Sequence, residues 1–265
     1  MKVAIIGAGA MGGAIARGLI SSAPRFITSP GDLCAANPSP QRLAPLAEAG
    51  ASTTCSNIEA VRDASLVILC VKPWLVKDVI TEIKDHIDYS YAEIAVVAAC
   101  VTISDLNEWL HKESAGSRSP SFCIVMPNTA VSLCKSMTFQ VNGNGTCPIT
   151  LKAFGQLGEV MVIEDRLLPA ATSIASCGIA YALRYIRAAM EGSVELGIRA
   201  PLAQEMIVQT LIGAASLLQE PGTHPETEID KVTTPGGLTI RGLNAMEHSG
   251  FTSAVINGLK ASTPR

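Results

Sequence analysis

Residues 3–19 read VAIIGAGAMGGAIARGL, an apolar run broken by Gly7, Gly9 and Gly12 and followed at once by a helix-forming pattern. A strand that ends on GxGxxG and turns into a helix commits the start of the chain to a βα unit, because each glycine answers a separate steric demand. Gly7 permits the tight turn, Gly9 lets the backbone approach a pyrophosphate, and Gly12 lets helix and strand pack closely. The free N–H groups at the helix start then meet the phosphate charge. An ordinary glycine turn carries the same letters; the strand–turn–helix context selects the dinucleotide loop.

The pattern continues. KVAII (2–6), DLCAA (32–36), SLVILCV (65–71), EIAVVAA (93–99), FCIV (122–125), MTFQV (137–141) and EVMVI (159–163) read as strands. Their continuous rather than alternating apolarity fits a parallel sheet covered on both faces. Helical patterns fall between them at 11–20, 40–49, 57–63, 74–86, 102–111 and 148–157. Such alternation predicts a doubly wound α/β domain over 1–163. After 164 the strand signals stop, and 166–197, 200–219, 237–248 and 251–260 read as helices. ATSIASCGIAYAL within the first is apolar nearly all round, the mark of a buried helix or a subunit interface.

Composition narrows the function classes. Charged residues make up 16% of the chain, against about 25% in a typical protein, so much apolar surface must be covered, in part by oligomer contacts. A net charge of −3 without basic clusters predicts no nucleic-acid partner and no anionic membrane surface. The longest apolar runs, such as IAVVAACV, fall short of the ~20 residues of a membrane span. The N-terminal MKVAII reads as a strand and not as a signal peptide. Eight dispersed cysteines without a CxxC pair read as small thiols in a reducing compartment, the cytoplasm. No Cys/His spacing suits zinc, so no metal is expected.

The second strand decides the dinucleotide. An acid at its carboxyl end would hold a ribose 2′-OH and repel a 2′-phosphate. Asp32 lies at about the right count, but the longer approach SSAPRFITSPG makes it open the strand instead. The strand closes on Ala36-Asn37-Pro38-Ser39, where Asn37 and Ser39 can donate to a phosphate and Arg42 is close in sequence. NADP(H) is therefore expected, with NAD(H) left open. The same four residues also read as a plain turn and helix start.

Three further stretches follow strands at the edge where open α/β sheets bind ligands: CVKPW (70–74), AACVTI (98–103) and VMPNTA (125–130). With NPSP (37–40), SNIEAV (56–61) and TTPGGLTIRGLNAMEHSGFTSAVING (233–258), they make the chain resemble the pyrroline-5-carboxylate reductases over almost its whole length. The resemblance implies reduction of a cyclic imino acid to L-proline by NAD(P)H, the last step of proline biosynthesis. It implies an N-terminal Rossmann-type NADP-binding domain (1–163) and a C-terminal all-α dimerisation and substrate domain (164–265), assembled as an interleaved homodimer or a higher homo-oligomer. Carried over by motif, Gly7, Ala8, Gly9, Ala10, Met11 and Gly12 would hold the pyrophosphate, and Asn37 and Ser39 would face the adenosine phosphate. Asn57 would contact the cofactor; Val71, Lys72, Pro73, Ala98 and Ala99 would line the nicotinamide-side ribose; Asn128 would lie beside the nicotinamide. Taken singly, Lys72 also reads as a solvated charge and Asn128 as a turn residue behind Pro127.

A carboxylate substrate wants backbone N–H donors and the positive end of a helix. Thr234, Gly236, Gly237, Leu238 and Thr239 offer both, with hydroxyls added. By the resemblance, Thr239 would hydrogen-bond the ring nitrogen and orient or relay a proton. The competing reading makes Thr233 or Thr234 a helix N-cap. No histidine falls in these motifs, and His224 in THPE reads as part of a helix start.

The chain departs from the family pattern at Ile124, Ala130, Ser136, Cys100 and Arg187, and above all at ASCGIAY (175–181), where the family has SGSGPAY. These changes leave open a reductase of another cyclic imine carboxylate, and a non-catalytic NADPH-binding regulator. A hydroxy-acid reductase is disfavoured, since 166–200 holds Arg184 and Arg187 but no lysine or histidine as proton donor. Cys100 and Cys177 read as approaching the site, as packing or oxidisable thiols.

Overall fold

The computed structural model describes residues 1–22, 26–112 and 119–263, which divide into two compact units, Met1–Ser176 and Cys177–Arg265. Residues 23–25 of the SSAPRFITSPG approach lie outside the described residues. The first unit carries one sheet of β1 (Val3–Ile6), β2 (Leu33–Ala36), β3 (Ser52–Thr54), β4 (Leu66–Leu69), β5 (Glu93–Val96), β6 (Ser121–Met126), β7 (Ser136–Asn144) and β8 (Gly158–Val162). Their spatial order is β3-β2-β1-β4-β5-β6-β7-β8. The helices are α1 (Ala10–Ser21), α2 (Pro40–Glu48), α3 (Asn57–Val61), α4 (Val76–Ile83), α5 (Ile103–Trp109), α6 (Pro148–Phe154) and α7 (Leu168–Thr172).

The apolar strands are explained by two cores. Val3 and Ile5 of β1 join Ile15, Leu19 and Phe154 in one cluster, while Ala4 and Ile6 join Ile80, Ile83 and Leu106 in the other. Successive strand residues face opposite ways, so both sets must be apolar. Each fully buried Ile or Leu contributes about 1.5–3 kcal/mol. A buried acid anchors one covering helix. Glu93, 4% exposed at the start of β5, accepts from Ile149 N (2.9 Å), Thr150 N (2.7 Å) and Thr150 Oγ1 (2.9 Å). Those N–H groups belong to the first turn of α6, which has no intrahelical acceptor for them.

Several expectations are corrected. The sheet is not wholly parallel: β7 runs antiparallel to β6, and β8 pairs parallel with β7. The strand β3 was not expected, because Ser52-Thr53-Thr54 is short, polar and at the sheet edge. The helix expected over 166–197 is interrupted: α7 gives way to a π-turn at Ser173–Cys177 before α8 (Gly178–Glu195) begins. The first compact unit runs through Ser176. Ala171 of α7 is buried and Leu168 packs against the second core cluster, which ties this stretch to the sheet.

The second unit holds α8, α9 (Ala200–Leu217), α10 (Pro225–Val232), α11 (Leu238–His248) and α12 (Phe251–Ala261). The helix start read at THPE is that of α10, whose first turn is capped by the His224 side chain accepting from Glu226 N. Among the described residues of this unit only Ala203 is buried. Leu183, Leu196, Ile212, Val255 and Ile256 are exposed, and Tyr181, Tyr185, Met246 and Phe251 line an apolar groove of about 540 Å³. Helices this apolar and this bare have no core of their own to bury. By length and composition Asp165–Glu195 is also long and apolar enough to cross a membrane.

Candidate functional site

The three glycines of the first turn do three different things. Gly7 has φ +94°, a left-handed backbone, and a Cβ there would sit 2.8 Å from the Cys70 carbonyl oxygen. Gly9 has nothing within 4 Å of an added Cβ, so the space over the helix start is open. A Cβ at Gly12 would lie 2.1 Å from the Gly7 carbonyl oxygen, so α1 touches its own loop. Gly9 is the N-cap of α1 and offers no side-chain acceptor. The N–H groups of Ala10, Met11 and Gly12 therefore lack intrahelical partners, and an anion fits there. Beneath the turn, burial pushes the Cys70 thiol up to about 12, which keeps it protonated.

Strands β1, β2, β4 and β5 end in register, with Ile6 beside Ala36 and Leu69 and Leu69 beside Val96, while β6 passes Val96 at Ile124 and ends two residues on at Met126. Ala8, Asn37, Ser39, Val71, Lys72, Pro73, Ala98, Ala99 and Asn128 all follow these ends, so one sheet edge gathers them. From β2 to β6 the edge spans roughly 19 Å at the usual strand spacing, enough for an extended dinucleotide. Asp32 is not at that edge. It closes a 3₁₀ turn before β2, where its carboxylate accepts from Thr28 N (2.9 Å) and Ser29 N (3.0 Å). That is roughly 16 Å of strand away from Asn37, which stands at the carboxyl end with its Nδ2 donating to Ser39 O. No carboxylate closes β2, and Ser39 caps α2 without a side-chain bond to the helix backbone, its Oγ donating instead to Gln41 Oε1 at 2.8 Å. These features fit a phosphorylated dinucleotide.

Other expected residues are engaged in local structure. Asn57 starts α3 and its Nδ2 donates to Glu82 Oε2 at 2.8 Å. Lys72 is exposed and caps the short 3₁₀ turn of Pro73–Leu75. Cys100 takes φ +62°, a conformation that costs a non-glycine residue about 1–2 kcal/mol. Arg187 pairs with Glu191 at 2.8 Å along α8.

Asn128 is more than a turn residue. It is 6% exposed, its Oδ1 accepts from Ala130 N (3.0 Å) and its Nδ2 donates to Ala175 O (3.3 Å). It thereby joins the loop after β6 to the π-turn. Two serines stand beside it. Ser136 accepts from Asn128 N at 3.1 Å, and the Ser176 hydroxyl is buried without a partner among the described residues. Short π segments recur at functional sites, but ASCGIAY carries no sequence mark of one.

In the second unit, Thr234-Pro235-Gly236-Gly237 forms a type II turn, with Gly237 N donating to Thr234 O (2.9 Å) and Gly236 at φ +71°. Gly237, not Thr233 or Thr234, is the N-cap of α11, and no side chain caps the helix. A Cβ on Gly237 would meet Thr234 Oγ1 at 2.6 Å, which accounts for the second glycine. The first-turn N–H groups of α11, Leu238 and Thr239 among them, are left for a ligand. Leu238 and Thr239 are both exposed. Arg241, which the sequence reading missed, locks the turn by donating from Nη2 to Gly236 O at 2.9 Å.

Known proteins are similar to this chain in sequence and in fold. Residues 165–265 match the family model described as pyrroline-5-carboxylate reductase dimerisation, and residues 2–101 match the model described as NADP oxidoreductase coenzyme F420-dependent. The chain is 38% identical to pyrroline-5-carboxylate reductase 1 of Dictyostelium discoideum over 99% of its own length, and spans about half (49%) of that relative. It is 31% identical to the pyrroline-5-carboxylate reductase of Arabidopsis thaliana over 100% of this chain and 94% of the relative. A solved pyrroline-5-carboxylate reductase from Coxiella burnetii superposes with a TM-score of 0.86 at 25% identity, covering 99% of this chain and 96% of that one. With the glycine turn at one end and the threonine–glycine turn at the other, this chain belongs to the pyrroline-5-carboxylate reductase family.

Proposed function

We infer that the chain reduces 1-pyrroline-5-carboxylate to L-proline with NADP(H). One observation carries the inference: α11 starts at a glycine cap with no side-chain acceptor, two residues before Thr239. An imino acid has one carboxylate and one C=N bond. The uncapped N–H groups suit the carboxylate, and the Thr239 hydroxyl suits the ring nitrogen. Gly7 to Gly12 hold the pyrophosphate, Asn37 and Ser39 receive the adenosine phosphate, and Val71–Pro73, Ala98, Ala99 and Asn128 form the nicotinamide end of the edge. Asn57 joins them once it releases Glu82. The bound reduced cofactor supplies the hydride for the imine carbon. The protein's own task is orientation, which is worth about 7–11 kcal/mol where alignment is good. A threonine hydroxyl is a weak acid, so Thr239 orients the nitrogen and relays a proton more than it drives its transfer.

We further propose a homodimer that covers the bare faces of α8, α9 and α12. The apolar Asp165–Glu195 span falls wholly within the dimerisation match, so subunit contacts, not a bilayer, are its cover. Eight unpaired cysteines, two of them exposed, suit the reducing cytoplasm. No nucleic acid is proposed as partner.

Purified protein with pyrroline-5-carboxylate and NADPH should lose the absorbance of the reduced cofactor, faster than with NADH. Thr239→Val should lower turnover about tenfold or more, on the order of 1.4 kcal/mol, while NADPH binding persists. Turnover only with the six-membered homologue moves the substrate assignment. NADPH binding without turnover on either imine favours the regulator.

A further inference from the structure

We propose that Ser136 is a positioning residue for the reductase reaction. The proposal rests on the placing of Asn128 beside the nicotinamide.

Ser136 opens β7 at the point where the loop after β6 turns back. It is 2% exposed, and its backbone is clamped. Its N–H donates to Leu157 O at 3.0 Å, and a Cβ on Gly158 would lie 2.1 Å from its carbonyl oxygen. From this fixed base the hydroxyl accepts from Asn128 N at 3.1 Å and from Thr138 Oγ1 at 3.0 Å. Thr138 is fully buried. Asn128 then has every polar group committed, since its Oδ1 takes Ala130 N and its Nδ2 reaches Ala175 O. The amide cannot be flipped, because one end faces an N–H and the other a carbonyl.

The result is a buried polar chain, Thr138–Ser136–Asn128–Ala175, from the sheet to the π-turn. Removing the Ser136 hydroxyl leaves the Asn128 N–H buried without an acceptor, and the loop must shift to find one. A shift on the order of 1 Å at a reacting end can cost about a hundredfold in rate. The glycine loop, Asn37 and Ser39 follow other strands and do not move with it. The hydroxyl therefore acts on the hydride step and not on the grip at the adenosine end.

The test compares the full-length wild type with Ser136→Ala and Ser136→Cys. It measures turnover on pyrroline-5-carboxylate, NADPH affinity by fluorescence, melting, and the primary deuterium isotope effect with NADPH deuterated at the transferred position. Ser136→Ala is expected to lower kcat about tenfold or more, to leave NADPH affinity within about twofold, and to raise the isotope effect on kcat. Ser136→Cys, with a weak acceptor of similar size, should fall between. An unchanged kcat overturns the proposal. So does a kcat loss that tracks NADPH affinity and melting while the isotope effect stays put, because that is merely structural. Should Ser136→Ala not fold, Ser136→Cys decides by the same criteria. Wild-type protein without turnover removes the proposed function and this role together; an active wild type with an indifferent Ser136→Ala removes only this role.

Discussion

The two glycines at the start of α1 should fail in opposite ways when each is given a methyl group. At Gly12 the new Cβ would lie 2.1 Å from the Gly7 carbonyl oxygen and 3.0 Å from Cys70 Cβ. The nearer neighbour is backbone, so α1 must retreat from its own loop by on the order of 1 Å to reach ordinary contact. Alanine's helix propensity favours the change by about 1 kcal/mol. Overpacking against fixed atoms opposes it by about 1–3 kcal/mol, and at so short a distance the opposition wins. A domain of this size loses about 2–4 °C of melting midpoint per kcal/mol, so Gly12→Ala should melt a few degrees below wild type. At Gly9 the Cβ meets nothing within 4 Å, and φ is an ordinary −75°. Gly9→Ala should change stability by less than about 1 kcal/mol, yet it fills the space over the uncapped N–H groups. A tenfold or greater loss of NADPH affinity, about 1.4 kcal/mol, is expected. Thermal melts and NADPH fluorescence titrations on the two purified variants read both effects. Wild-type NADPH affinity in Gly9→Ala would falsify the placing of the pyrophosphate, and a wild-type melt in Gly12→Ala would refute the packing argument.

Two further outcomes test the frame around the site. Glu93→Ala strips three hydrogen bonds, two of them buried, from the start of α6 and should cost about 2–4 kcal/mol in urea unfolding; a loss below about 0.5 kcal/mol would mean that α6 is held by its apolar face alone. Asp32 is held below the ordinary carboxylate range, chiefly by the Ser29 N–H and also by that of Thr28. A depressed folded-state value stabilises the fold above the unfolded pKa of about 4 and stops doing so as pH falls through the folded value. The stability gap between wild type and Asp32→Asn should thus be full at neutral pH and close in acid; a gap unchanged down to about pH 3 counts against it.

The chain's local chemistry was enough for much of this. Gly7 and Gly12 are legible because each is a steric requirement of a turn only a few residues long, and Gly9 because it stands between them in GxGxxG. The four-residue strands β1 and β4 are legible because burial on both faces leaves no polar position. The asparagine–serine end of β2 was readable because no carboxylate falls within a few residues of the strand's close. His224 as a helix start is likewise a matter of near neighbours.

What needed the tertiary structure was whatever depends on partners far along the chain. The direction of β7 is set by its pairing with β6, and MTFQV is equally apolar either way round. Glu93 looked like an ordinary strand end until α6, 56 residues later in sequence, was seen to rest on it. The weight of Asn128 comes from Ser136 and Ala175, 8 and 47 residues away. Even the double glycine before α11 could be read two ways until the turn placed Thr234 Oγ1 where a Gly237 side chain would be. Short-range sterics and hydration are written in adjacent letters, whereas a hydrogen bond closed by folding is recorded only in the positions it brings together.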